Sequence, residues 1–247
     1  MLALGSLIVP WLAAWWLPFF AQPQSYHDYA DQRAWLGLPH AADVLSNLPF
    51  LVVGVIGILY TLHGWKSNNR NAFADQRSAW PYALLFFGIF LTAFGSAWYH
   101  AEPSDATLVW DRIPMALGFA GLVAGTLTDR VPQRIAQSLL AFAAVGAGTV
   151  IYWQVSGNLM PYLMMQVTFI TAALIATAWI KPLYTHSKRI YAATGLYLIA
   201  LIFERLDHQV YGLLGGWISG HTLKHLFACA AIAVVLSMLR ARRLAMR

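Results

Sequence analysis

Apolar runs of about 20 residues, the length a transmembrane helix needs, recur along almost the whole chain between short polar breaks. Eight segments fit: Leu2 to Phe20, Asp43 to Leu62, Trp80 to Tyr99, Leu108 to Leu127, Ile135 to Trp153, Leu159 to Ile180, Ile190 to Phe203 with a polar extension, and His221 to Leu239. The connections are short and carry turn residues such as Gly64, Asn68, Asn69, Pro103, Gly157 and Gly220. No linker, internal repeat or low-complexity tract divides the chain. The pattern predicts an all-α, polytopic transmembrane helix bundle forming a single domain over residues 1–247. Its parts are a seven-helix core and an extra apolar helix over residues 1–20. Phe20-Ala21-Gln22 loosely suggests a signal-peptide cleavage site. However, no positive region precedes the apolar stretch, and its length exceeds that of a signal-peptide core, so a retained helix is expected.

Composition supports lipid as the solvent. Hydrophobic residues make up 59% of the chain and charged residues 11%, against roughly 25% charged in soluble domains. A chain this apolar cannot cover its surface with polar groups.

The net charge of +6 raises the question of nucleic acid, and the placement of the charges answers it. If every segment spans, 12 of the 16 Lys and Arg fall on one side, in loops and tails from Lys66 to Arg247, and 8 of the 10 acids fall on the other. The positive-inside rule makes the basic side, with the C-terminus, cytoplasmic. The charge therefore describes topology and predicts no nucleic-acid partner. The single cysteine, Cys229, has no intrachain disulfide partner and is expected to pack.

Residues with chemical capability gather at helix ends on the acidic side. Segment three ends in Gly95-Ser96-Ala97-Trp98-Tyr99-His100, segment four opens near Trp110-Asp111-Arg112-Ile113-Pro114, segment seven ends in Glu204-Arg205-Leu206-Asp207-His208, and segment eight opens with His221-Thr222-Leu223-Lys224-His225. Hairpins place these ends in one shallow layer. His221 and His225 are four residues apart and share one helix face. Two such imidazoles can hold a metal, and a catalytic zinc usually takes three protein ligands; His100 is the natural third. Without a metal, the pair would be interfacial polar residues. Ser96 lies one turn before His100, as a hydroxyl near the metal or as a small residue permitting close packing beside Gly95. Asp111 is either a site carboxylate or a helix-start acid paired with Arg112. Asp207 is expected to orient a histidine ligand through its second ring nitrogen. Glu204 and Arg205 are candidates for a structural pair.

At these residues the sequence resembles the alkaline ceramidase family, part of a wider superfamily of seven-helix membrane hydrolases that includes adiponectin-receptor relatives. The resemblance rests on Ser46-Asn47-Leu48, Gly95-Ser96-Ala97-Trp98-Tyr99-His100, Asp111-Arg112-Ile113-Pro114-Met115, Asp207 and His221-Thr222-Leu223-Lys224-His225, in order over roughly residues 26 to 240. Each motif is weak alone; the series is fairly specific together. The resemblance implies a zinc ion held by His100, His221 and His225, with Ser96 and Asp111 completing the catalytic group. It also implies cleavage of a ceramide amide to a sphingoid base and a fatty acid. Eukaryotic members carry a calcium site, with a Glu and an Asn six and three residues before the position of Ser46. Here those positions hold His40 and Asp43. Asp28, Asp31 and Asp43 are the oxygen ligands left to a calcium ion.

Two function classes follow. The first is zinc-dependent amide hydrolysis of a ceramide-like N-acyl lipid at the membrane interface. In it Asp111 handles the proton and Ser96 hydrogen-bonds the developing oxyanion, while the apolar bundle holds the acyl chain. The second is a metal-ion or proton transporter using the same His and Asp layer. A transporter usually places such groups near the bilayer midplane, on broken helices; a layer near one face favours the hydrolase.

Overall fold

In the computed structural model of the protein, residues 19–67, 72–131 and 138–245 are described. The expected helix over residues 1–20 lies almost wholly outside them. The described residues fold as an all-α bundle: α1 Ala41–Leu45, α2 Leu48–Lys66, α3 Trp80–Ala101, α4 Asp105–Thr128, α5 Leu139–Ser156, α6 Met160–Trp179, α7 Arg189–Arg205, α8 Asp207–Leu213 and α9 Gly220–Ala241. Six helical stretches among them are long and apolar enough to cross a membrane: Ala41–Lys66, Gln76–Ala101, Asp105–Thr128, Leu139–Ser156, Met160–Trp179 and Gly220–Ala241. These are the features of an integral, multi-pass membrane protein. With α7, they make the expected seven-helix core. α8 and the break between α1 and α2 were not expected from the apolar pattern.

The polarity of the bundle is inverted relative to a soluble protein. Val52, Leu59, Phe94, Ile151 and Val155 are exposed, while Thr61, Thr92, Ser96, Asp111, Thr126 and Thr168 are buried. Apolar side chains facing outward have no reason to avoid lipid, and some of the interior hydroxyls find partners on their own helix, as the bilayer favours. Thr61 and Thr92 donate to their own helix carbonyls four residues back, at 2.9 Å each. Trp98 and Trp110 stack at 5.9 Å, half-exposed, at the end of the α3–α4 hairpin, as expected of an interfacial aromatic belt.

Small residues set how closely α3 and α4 pack. A Cβ on Gly95 would lie 1.9 Å from the Trp110 carbonyl oxygen, and one on Gly121 would lie 2.4 Å from the Leu85 nitrogen. Only glycine permits that backbone approach, and it fixes Ser96 and His100 of α3 against Asp111 of α4. Ser104 caps α4, accepting from the Thr107 amide at 3.2 Å. Ser219 caps α9, accepting from the Thr222 amide at 2.8 Å. The start of α9 in turn sits on the end of α7, where a Cβ on Gly220 would meet the Phe203 carbonyl oxygen at 2.3 Å.

The opposite end of the bundle is closed by a buried ion pair. Arg242, just past α9, meets Asp129, just past α4, at 2.8 Å, with both side chains at most 3% exposed. The Tyr82 hydroxyl donates to the same Asp129 oxygen at 2.6 Å, and the Arg242 guanidinium lies 4.1 Å over the Tyr184 ring.

A candidate metal centre at one end of the bundle

His100 occupies the last turn of α3, and His221 and His225 occupy the first two turns of α9. All three are buried. One ring nitrogen from each can be chosen so that all lie within 4.8 Å of one another. The Nε2 atoms of His100 and His225 are 3.2 Å apart. Two ligands on a tetrahedral zinc with Zn–N near 2.0–2.1 Å stand about 3.3 Å apart, so the spacing suits one ion between them. His221 Nε2 is buried with no hydrogen-bond partner, an arrangement costly for an imidazole unless something else binds there. The three residues fit a metal ion.

The N-terminal stretch folds over this end and completes the surroundings. Tyr29 packs edge-on to His100 at 4.8 Å and to His221 at 4.7 Å and is 2% exposed. His40 hydrogen-bonds the His100 carbonyl oxygen through Nδ1 at 2.9 Å. His27 bridges the Tyr99 hydroxyl at 2.9 Å and Asp105 at 3.1 Å. These rings exclude water from the side of the triad they cover.

Behind His225 stands Ser46, in the break between α1 and α2. Its hydroxyl donates to the Asp43 carbonyl oxygen at 2.8 Å and lies 2.6 Å from His225 Nδ1. With its one proton committed to that carbonyl, the hydroxyl accepts from Nδ1–H. The tautomer this selects leaves the Nε2 lone pair free for a metal. Asp43 holds the adjoining cap, its Oδ1 accepting from Ser219 at 3.0 Å and Thr222 at 2.7 Å.

No protein-family model and no curated protein matches this chain. The geometry therefore has to carry the functional argument.

Beside the triad, Ser96 and Asp111 are neighbours that interact electrostatically, and Asp111 Oδ1 has no hydrogen-bond partner. Both residues are buried. Asp111 makes no ion pair with its neighbour Arg112, which donates to Gln22 instead. Lys224 pairs with Glu204, which also accepts from the Tyr26 hydroxyl at 2.8 Å. Lys224 is an electrostatic neighbour of Asp111 and of all three histidines.

Several expectations are corrected. Asp207 does hold His221, but through the backbone. Its Oδ1 accepts the His221 amide at 2.7 Å and its Oδ2 accepts the Ala30 amide at 2.9 Å. First-turn amides of a helix have no intrahelical acceptor, so a carboxylate there satisfies the backbone before it can reach a ring. Glu204 pairs with Lys224 rather than Arg205, because α9 packs along α7 and brings Lys224 inward. The aspartates Asp28, Asp31 and Asp43 do not gather into a calcium site. Asp31 is occupied by Arg33, at 2.8 Å to Oδ1 and 2.5 Å to Oδ2. Asp43 serves the α9 cap, and Asp28 is exposed near His208. Burial raises the Asp31 carboxyl, but the hydrogen bonds and charge of Arg33 outweigh it and hold the group below its ordinary value. Cys229 is buried in the apolar core, as expected.

Proposed function

We propose that the protein is a zinc-dependent membrane amidohydrolase acting on a ceramide-like N-acyl lipid. The observation that carries this reading is the buried three-histidine group with Asp111 and Ser96 beside it. His100, His221 and His225 would hold the zinc ion, which when bound would supply Lewis-acid chemistry: activation of water near neutral pH and polarisation of a carbonyl. Asp111 has one unpartnered carboxylate oxygen, which suits it to accept a proton and return it to the leaving amine. Ser96, beside it, would donate a hydrogen bond to the oxygen on which negative charge develops. Tyr29 and the N-terminal stretch shield the reacting groups from bulk water.

The layer lies in the last turn of α3 and the first turns of α4 and α9. That depth suits a lipid whose amide sits at the interface and whose chain enters the bundle. It suits a transporter less, because a transporter needs its site near the midplane. In this reading the basic end of the bundle is cytoplasmic and the metal layer faces the opposite side.

The test is a panel of N-acyl lipids presented in mixed micelles to purified protein, read as stoichiometric release of fatty acid and amine. A ceramide or close N-acyl relative should be hydrolysed, a chelator should stop the release and zinc should restore it. Release from esters but from no amide would contradict the assignment.

A further inference from the structure

Arg112 is a buried cation that the proposed chemistry does not use. It is 5% exposed and lies on α4, one residue past Asp111. All ten acidic residues of the chain are among the described residues, and none places a carboxylate oxygen within 4.0 Å of its guanidinium. The other two buried arginines among the described residues each make several bonds, although Arg242 Nη2, like Arg112 Nη1, has no partner. Arg242 has Asp129, and Arg130 donates to the Ala176 and Thr126 carbonyls and the Thr177 hydroxyl. Arg112 instead makes one bond, from Nη2 to the neutral Gln22 Oε1 at 2.5 Å, and its Nη1 has no partner. A guanidinium at membrane depth is costly and is a functional candidate by default.

Its surroundings hold it rather than neutralise it. The guanidinium lies 4.3 Å over the Trp153 ring, 5.1 Å over Tyr162 and 5.6 Å over Tyr26. These rings come from α5, α6 and the N-terminal stretch, so the cation is oriented from three sides. Tyr162 also has Asp111, Lys224 and Glu204 as electrostatic neighbours, which places Arg112 in the same polar layer as the metal centre. α4 has no extended backbone packing with α7 or α9.

We propose that Arg112, positioned by Gln22, binds a carboxylate carried by an acyl lipid in the metal layer. The carboxylate is either the head group of an N-acyl amino acid or that of a free fatty acid. The inference rests on the amidohydrolase reading only for the bond that is broken, and it adds that the favoured substrate or product is an anion. A planar guanidinium with one free Nη matches a single carboxylate charge. A doubly charged phosphate would need more donors than Arg112 has to spare.

The experiment measures binding to metal-free protein in micelles, so hydrolysis does not enter. The probes are N-palmitoylglycine, its methyl ester, palmitic acid and hexadecyl phosphate, each displacing a fluorescent fatty-acid reporter. At least one carboxylate should bind wild type about 10-fold or more tighter than the methyl ester, as a charge-assisted hydrogen bond implies. Arg112→Gln should remove that difference, and Arg112→Lys should keep part of it. An Arg112-dependent gain confined to palmitic acid assigns the subsite to the free acid; a gain with N-palmitoylglycine assigns it to the head group. Equal binding of the methyl ester by wild type, or tighter binding of hexadecyl phosphate, overturns the proposal. Should Arg112→Gln fail to fold, Gln22→Ala serves in its place: it removes the contact that positions the guanidinium and should weaken carboxylate binding without affecting the ester, and equal effects on both overturn the proposal. A carboxylate preference that persists where no amide is hydrolysed would separate this subsite from the failure of the enzymatic reading.

Discussion

The Ser46 hydroxyl stands 2.6 Å from His225 Nδ1 while donating to the Asp43 carbonyl oxygen, so a residue between two helices sets the tautomer of a buried histidine on a third. Ser46→Ala should leave the bundle folded and weaken zinc binding about 10- to 100-fold, the usual cost of losing a group that orients a metal-bound histidine. Competition with a chromogenic chelator measures it. Unchanged zinc affinity in the folded variant would show that the contact does not orient a ligand.

Asp111→Asn should retain zinc and lose about 10²–10⁴-fold in amide turnover, since the amide keeps the shape but cannot accept a proton. Ser96→Ala should also retain zinc, with a loss on the order of 10²–10³-fold. Rates are normalised to folded, zinc-loaded protein. Near-wild-type turnover by Asp111→Asn under that normalisation would remove Asp111 as the proton acceptor.

Much of this layer was legible in the sequence, for a physical reason. Helical periodicity puts His221 and His225 on one face, and hairpins bring His100 and Asp111 alongside. Three features were not legible. Tyr29, Gln22 and Tyr26 lie on a stretch with little regular structure, whose path over the helix ends is set by long-range contacts such as the Ala30 amide to Asp207. Lys224 is drawn to Glu204 by the packing of α9 on α7, which adjacent charges such as Glu204-Arg205 do not disclose. Ser46 stood out as part of a motif, but its role needs the break between α1 and α2, hidden within one continuous apolar run. The glycines at positions 95 and 220 were visible as turn or packing residues; which backbone each admits was not.

The far end of the bundle offers a control on stability alone. Arg242 and Asp129 are almost fully buried, and removing one partner of such a pair costs about 3–5 kcal/mol because the other charge is left unpaired. Arg242→Ala should therefore unfold at markedly lower denaturant concentration or temperature, with turnover per folded molecule unchanged. A variant as stable as wild type would mean that the pair contributes no net stability.

The loop charges predict an orientation. In intact cells or sealed vesicles, an impermeant thiol reagent should reach Ser104→Cys from outside and Lys188→Cys only after permeabilisation; Cys229 is buried and gives little background. The reverse pattern would invert the topology and place the metal layer toward the cytoplasm.

The most direct test of the central claim is a zinc titration of metal-stripped protein, following fatty-acid release from a ceramide-like N-acyl lipid. Release should start near zero, rise in proportion to zinc bound and level off at one ion per chain, and His225→Ala should show neither the binding nor the activity. Amide hydrolysis that proceeds unchanged in the stripped protein, or a fully zinc-loaded protein that cleaves no N-acyl lipid, would contradict the account.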